Sequence, residues 1–270
     1  MGVTRTMVMN DQHLPFHDSR LINVDAEGMM LDILEDLNLD RLIINGDLLD
    51  LYSVNRYGIH PQVNVDLEQE LYIGRRFIEN LRKRFPRLEI VYLFGNHEAR
   101  YEKWVIENAK PMYNLLRLEF ELDLAKHDIT WFPYNSKYRI EETDCYVQHS
   151  PPSYGVNGAR TSLLQKSDQS FIFGCSHRQQ HATITAGSGK VYECYFNGWL
   201  GSTTETESHA QVFSYRKGHH SWQQCFCIVN VIDGKEFLIN QYSIRDHKVC
   251  VDGTLYDYSD EAIRDDLQYT

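Results

Sequence analysis

Two runs in the first hundred residues, Arg41–Asn45 (RLIIN) and Leu88–Phe94 (LEIVYLF), are apolar through their centres and end at a glycine followed by polar side chains. A strand wetted on one face alternates polar and apolar residues, so runs like these read as strands buried on both faces. Between them lies Val65–Phe85, with Leu67, Leu71, Phe77 and Leu81 along one helical face. Strand–helix–strand with continuous apolar strands predicts a parallel sheet covered on both sides, and hence an α/β fold. Upstream, Thr6–Asn10 reads as a further strand. Val24–Leu37 reads as a helix, with Met29, Met30, Ile33, Leu34 and Leu37 at helical spacing.

The second half changes period. Lys137–Ile140 and Asp144–Gln148 predict a hairpin around Glu141–Thr143, Ala159–Gln165 a short helix, and Ser170–Phe173 a strand. Further β runs follow at Ala182–Thr185, Val191–Phe196, Gln211–Tyr215, Cys225–Ile232 and Glu236–Ile244, the last two joined by the hairpin signal Asp233-Gly234. The expectation is a single domain over residues 1–270 with two sheets, the first half supplying one and the second half the other. The acidic stretch from about residue 256 to 270 is expected to be a peripheral tail.

Composition narrows the function classes. With 27 basic and 38 acidic residues the formal net charge is −11, so the chain has no general attraction for nucleic acid or anionic lipid. No run of about 18 apolar residues is present to span a bilayer, and the N-terminus lacks the pattern of a secretory signal. The six cysteines, at 145, 175, 194, 225, 227 and 250, include no C-x-x-C pair, which argues against a zinc ribbon and for reduced thiols in a cytoplasmic protein. Cys225-x-Cys227 reads as packing on one strand face. The basic stretch Arg75-Arg76 and Arg82-Lys83-Arg84 reads as a solvated helix face, and His219-His220 as an exposed loop pair.

The polar residues that follow the strands carry the chemistry. They are Asp11-x-His13, Gly46-Asp47-x-x-Asp50, Gly95-Asn96-His97-Glu98, His149, and Gly174-Cys175-Ser176-His177. Each piece alone is ordinary turn or cap chemistry. Together, five strand ends bearing Asp, Asp, Asn, His and His can converge at one sheet edge, and carboxylates, an amide oxygen and imidazoles suit divalent first-row metals.

In that order the motifs resemble those of the calcineurin-like metallophosphoesterases, over about residues 7 to 200. The stretch Asp11–Asp18 (DQHLPFHD) is similar to the compact single-domain members common in bacteria and their phages. The resemblance implies a four-layer α/β/β/α sandwich of two mixed sheets. It implies a metal-dependent phosphoesterase in which a hydroxide held on two divalent ions attacks a phosphomonoester or phosphodiester, on a small or nucleotide-type substrate. Asp11, His13 and His177 would hold the first ion, Asp47 would bridge, and Asn96 and His149 would hold the second. His97 would contact the phosphate and protonate the leaving oxygen, oriented by Asp50, the pairing raising its pKa. Mn²⁺ is the first choice of ion, with Zn²⁺, Fe²⁺ or Ni²⁺ as alternatives.

The chain departs from the family at Cys175, where the usual G-H-[TS]-H pattern places a second-metal histidine. The thiolate can ligate, the second site can be weak and filled only with substrate, His181 can fold back to substitute, or Cys175 can be packing beside a water ligand. Arg178 and Arg100 are candidates to pair with phosphate oxygens. The loop holding Ser153, Tyr154 and Asn157 can line the cleft. The expected partner is a phosphate-ester substrate, with a nucleotide or nucleic acid among the candidates and no membrane. The alternative reading is a catalytically idle scaffold on the same fold, which metal-dependent hydrolysis would exclude.

Overall fold

The structure, a computed structural model, describes residues 2–55, 65–166, 168–202 and 222–261. The predicted strand Gln211–Tyr215 and the pair His219-His220 lie outside the described residues. The first half runs β1 (Val3–Met9), α1 (Met29–Asp36), β2 (Arg41–Asn45), α2 (Leu67–Arg84), β3 (Glu89–Leu93), α3 (Asn96–Asn108), α4 (Leu118–Glu121) and β4 (Ile129–Phe132). Next come β5 (Tyr138–Arg139), β6 (Cys145–Gln148), α5 (Gly158–Gln165), β7 (Ser170–Phe173), β8 (Gln179–Thr185) and β9 (Val191–Asn197). The last described strands are β10 (Cys225–Ile232), β11 (Glu236–Ser243), β12 (Lys248–Val251) and β13 (Thr254–Asp257).

The fold is α/β with two mixed sheets, of order β11-β10-β1-β2-β3-β4 and β5-β6-β7-β9-β8. Strands β1 to β4 are mutually parallel. One expectation is corrected here: the second half does not stay in its own sheet. β10 pairs antiparallel with β1, from Val3 opposite Ile232 to Val8 opposite Cys227, and carries β11 with it. β10 is buried at all but two of its eight positions, so it needs a neighbour on each side. The free edge of β1 supplies one and the Asp233-Gly234 hairpin supplies the other.

Alternation along the strands sorts side chains into separate cores. Met7, Met9, Leu42, Ile44, Ile90 and Tyr92 face the helices and meet Met30, Ile33, Phe77, Leu81 and Tyr101. Val8, Ile43, Val91 and Val229 face the other way and meet Cys145, Val147, Ile172 and Tyr195 of the second sheet. The far side of the second sheet packs Phe171, Phe173 and Phe196 on Ala159 and Leu163 of α5. Each such large side chain, fully buried, contributes about 1.5–3 kcal/mol.

Local signals explain the helix ends. The Asp66 carboxylate accepts from Gln69 N at 2.9 Å, and the Gln69 amide oxygen accepts from Asp66 N at 3.0 Å, a reciprocal cap that opens α2. α1 starts at Met29, five residues later than the apolar spacing from Val24 predicts. Asn23 Oδ1 accepts from the backbone N–H of Asp25 and of Glu27, both at 3.1 Å, and holds the preceding residues in a turn. The basic end of α2 is a staple: the Arg82 guanidinium donates to the carbonyls of Phe85, Leu88, His127 and Asp128. Arg84 pairs with Asp32 and Glu35.

Of the expected tail, residues 262–270 lie outside the described residues, and its first residues are packed. Tyr256 is buried within β13, and the Tyr258 hydroxyl bonds Asp32 of α1. No helix among the described residues is long and apolar enough to cross a membrane.

Candidate metal centre

The ends of β1, β2, β6 and β7, with the first turn of α3, meet at one edge of the two sheets. Backbone hydrogen bonds lock the turns together. Asp11 N donates to Gly46 O at 3.0 Å, His13 N to Asp47 O at 2.9 Å, and Gly174 N to His149 O at 2.9 Å. Two glycines are required by close approach. A Cβ on Gly46, whose φ is +80°, would lie 2.3 Å from His149 Nδ1, and one on Gly95 would lie 2.2 Å from Asp47 Oδ1.

Five residues that carry side chains into this region have left-handed backbones without being glycine. They are Asp11 (φ 54°), His13 (56°), Asp47 (51°), Cys175 (61°) and His177 (54°). Such conformations cost about 1–3 kcal/mol each and persist where the surroundings over-determine them. At Asp11, Asp47 and Cys175 the surroundings are hydrogen bonds to the carboxylates themselves. Cys175 N donates to both Asp11 carboxylate oxygens, at 2.9 and 3.1 Å, and His97 N donates to Asp47 Oδ1 at 2.9 Å.

The buried side chains form three overlapping groups: Asp11, His13 and His177; Asp11, Asp47 and His149; and His13, Asp47 and His97. Within each group the ligating atoms lie within 4.8 Å of one another. Asn96 and Cys175 adjoin the second group. Asn96 Oδ1 is 3.1 Å from His149 Nε2 and 2.9 Å from Cys175 Sγ. Thus Asp11, His13, Asp47, Asn96, His149, Cys175 and His177 are brought together. His181 stands apart on β8, bonded to Glu193 and Thr183 and stacked on Tyr195.

The pattern of donors shows what the cluster can hold. His149 Nδ1 is 2.6 Å from the Asn45 carbonyl, which only accepts, so Nδ1 carries the hydrogen. His149 Nε2 then faces Asp47 Oδ2 at 3.2 Å and Asn96 Oδ1 at 3.1 Å, acceptor against acceptors. His13 Nδ1 similarly donates to Asp50 Oδ2 at 3.0 Å. Its Nε2 meets His177 Nε2 at 3.1 Å, and His177 Nε2 meets Asp11 Oδ1 at 3.2 Å. The His149 arrangement calls for a positive charge at its centre, either a proton or a cation; the second is satisfied without one when His177 carries its hydrogen on Nε2 and donates to Asp11 and His13, and in both places the buried groups can hold a metal ion.

Electrostatics agree. Burial disfavours ionised Asp47, but the His149 and His97 charges outweigh it and hold its pKa well below the ordinary carboxylate value. Burial likewise opposes a protonated His149, yet the Asp47 and Asp11 carboxylates lift it well above the ordinary imidazole value. His97 goes the other way: burial, helped by the His13 and Arg100 charges, pulls it down to about 4 against Asp47 and Asp50. Asp50 does raise it, as expected, but burial outweighs both carboxylates and the net direction is downward. The Asp50 carboxylate is spent on His13, and the His97 Nδ1 hydrogen goes to the Asp50 backbone carbonyl at 2.5 Å. His97 Nε2 is 3.7 Å from Asp47 Oδ2.

Asp47, Asn96, Cys175 and His177 of the cluster line an open cleft of about 750 Å³, together with Arg100, Tyr154, Arg178 and Trp222. Arg100 Nη1 reaches the Asp50 carbonyl at 3.4 Å, and Arg178 Nη1 the Tyr154 carbonyl at 3.2 Å. In the loop after His149, Tyr154 lines the cleft, whereas the Ser153 carbonyl accepts from Ser162 Oγ of α5 and Asn157 is the residue before that helix.

Three supporting features escaped the sequence reading. Glu98 is buried and accepts from Gly95 N, Asp47 N, Leu49 N and the Tyr92 hydroxyl, tying the two glycine turns together. Asn10 Nδ2 donates to Asp11 Oδ2 at 2.6 Å, and Asn197 Nδ2 to Asn10 Oδ1 at 2.8 Å. The available signal was an asparagine closing three apolar strands, at 10, 45 and 197. Trp199 stacks on His177 at 5.2 Å and Trp222 meets it edge-on at 4.3 Å, an aromatic wall with no local sequence signature. Comparison with known proteins finds no matching family model and no matching curated protein, so the arrangement of these side chains carries the functional reading.

Proposed function

We propose that this chain is a metal-dependent phosphoesterase of the calcineurin-like type, with its two sheets as the inner layers of that family's four-layer sandwich. The observation that supports it is the convergence of buried carboxylate and imidazole ligand atoms, within 4.8 Å of one another in each of three overlapping groups, with His149 Nε2 set against the Asp47 and Asn96 oxygens. Asp11, His13 and His177 would hold one divalent ion, and Asn96 and His149 another, with Asp47 between them. When bound, two such ions supply Lewis acidity and a water acidic enough to ionise near neutral pH.

The remaining work falls to the protein. Arg100 and Arg178 bring positive charge to the rim of a cleft on an otherwise acidic chain, which suits a phosphate-ester substrate, small or nucleotide-type. His97 keeps its hydrogen on Nδ1 and presents Nε2 to the cleft. An anionic phosphoryl group adds the opposite charge beside it, favouring the imidazolium, which can then protonate a leaving oxygen at Nε2. Left-handed backbones at Asp11, Asp47 and Cys175, held by hydrogen bonds to the Asp11 and Asp47 carboxylates, argue against an idle scaffold, which would have no use for such strain.

The test is hydrolysis of a panel of phosphomonoesters, aryl phosphodiesters and cyclic phosphates with Mn²⁺, Zn²⁺ or Mg²⁺ added to metal-stripped protein. Metal-dependent turnover that Asp47→Asn abolishes is the expected result. No turnover with any ion, or turnover indifferent to Asp47, overturns the proposal.

A further inference from the structure

We infer that Cys175 is a metal ligand in this chain, its sulfur completing with Asp47, Asn96 and His149 a mixed sulfur, nitrogen and oxygen pocket for borderline divalent ions such as Zn²⁺ or Co²⁺. The inference rests on the dinuclear reading above and specifies the second of its two sites. Where the family pattern has a histidine, this chain offers a softer donor, and a thiolate selects against hard ions such as Mg²⁺.

The geometry carries it. Cys175 Sγ lies 2.9 Å from Asn96 Oδ1, which is 3.1 Å from His149 Nε2, which in turn is 3.2 Å from Asp47 Oδ2. Each neighbouring pair is separated about as bonds of roughly 2.0–2.3 Å to a shared ion would separate it, and the sulfur stands at the Asn96 edge of the Asp11–Asp47–His149 group rather than inside it. The sulfur is held there by its backbone. Cys175 N is fastened to both oxygens of Asp11, and the residue keeps a φ of 61° to remain so. Beyond Asn96 the sulfur also neighbours His149 and, at 3.9 Å, the Tyr154 hydroxyl.

The contrast with the other thiols is instructive. Cys145 and Cys194 are fully buried within apolar clusters, as structural cysteines are. Cys175 is half-buried and faces the cleft beside three further donor side chains. His181 is engaged by Glu193 on β8 and does not compete for the position. On coordination the thiol proton leaves to solvent and the sulfur lone pair binds the ion.

Cobalt(II) titration followed by absorption spectroscopy tests this, in a Cys250→Ser background that removes the exposed thiol. Metal-stripped protein should take up two Co²⁺ per chain, and a near-ultraviolet sulfur-to-cobalt charge-transfer band should grow with one of them. Adding Cys175→Ser should abolish the band and weaken that ion's binding by about 10–100-fold, leaving the other unchanged. Cys175→His should bind both ions without the band. Tight uptake of two ions by the Cys175-containing chain with no charge-transfer band overturns the inference and leaves the dinuclear reading standing. No cobalt uptake at all overturns both. Should the serine variant not fold, protection of Cys175 from iodoacetamide by Zn²⁺ decides: full alkylation in the presence of Zn²⁺ refutes ligation.

Discussion

His97 sits among potential ligands, yet its partners differ from theirs. Its Nδ1 is fixed on the Asp50 carbonyl and its Nε2 opens to the cleft, 3.7 Å from the nearest Asp47 oxygen. His97→Ala should therefore lower kcat by about 10²–10⁴-fold while metal content, read by elemental analysis, stays nearly constant. The loss should shrink for substrates whose leaving group needs no proton. Metal lost together with activity would make His97 a ligand, the role its membership of the His13–Asp47–His97 group also permits. Glu98 is a different kind of residue. It accepts from three backbone N–H groups and one hydroxyl in a buried place. Glu98→Ala strands those donors without water, and at about 1–3 kcal/mol per stranded group it should cost at least about 3 kcal/mol in denaturant unfolding. Tyr92→Phe removes one hydroxyl donor and should cost far less.

Among the elements, α2 couples the site to the helical layer through a single buried carboxylate. Glu70 accepts from Tyr52 N at 2.6 Å, Ser53 N at 2.9 Å and Ser53 Oγ at 2.5 Å, fixing the turn that follows Asp50. Burial, with the Asp50 charge adding to it, raises Glu70 to about 7 despite those hydrogen bonds. A raised carboxylate pKa means that the folded chain holds a proton the unfolded chain releases. Its contribution to stability is complete below about pH 4.5 and is lost as pH rises through 7, a change of about 3 kcal/mol. Relative to Glu70→Gln, which cannot ionise, the wild-type unfolding free energy should fall between pH 5 and pH 8. Parallel pH profiles for the two chains would show that Glu70 is ionised throughout.

At the scale of the whole molecule, the centre is made of residues from Asp11 to His177, drawn from both sheets. A metal ion there would tie the sheets together as well as serve the chemistry. Ligands that bind only the folded state stabilise by mass action, about 2.7 kcal/mol at a hundredfold excess over Kd. For a domain of this size that amounts to a rise in Tm of roughly 5–10 °C. Adding Zn²⁺ or Mn²⁺ to stripped protein should produce such a rise in a thermal scan, a chelator should reverse it, and Asp47→Asn should not show it. Because the Asp47 and Asp11 carboxylates lift His149 well above the ordinary imidazole value of 6.5, metal and proton compete for it, and the rise should already diminish as pH falls toward 6.5.

Much of this was legible along the chain because it depends on neighbours in sequence. Continuous apolar runs gave β2 and β7 their bounds to the residue, since a doubly buried strand ends where polar side chains begin. The strand ends named the side chains of the cluster, because chain direction in a parallel sheet delivers all its carboxyl ends to one edge. What depends on partners far away in sequence was not legible. β10 is equally apolar whichever sheet receives it, and only the open edge of β1 decided its place. Asp50 and His97 follow one another's motifs, but whether the carboxylate met His97 or His13 was a matter of a few ångströms settled by packing. The direction of the His97 pKa followed from burial, a property of the assembled molecule. Glu98, Asn10 and Trp199 owe their roles to turns and strands that the folded chain brings to them. Local order along the chain thus determined the elements and the ligand types, whereas non-local packing decided which atoms face one another.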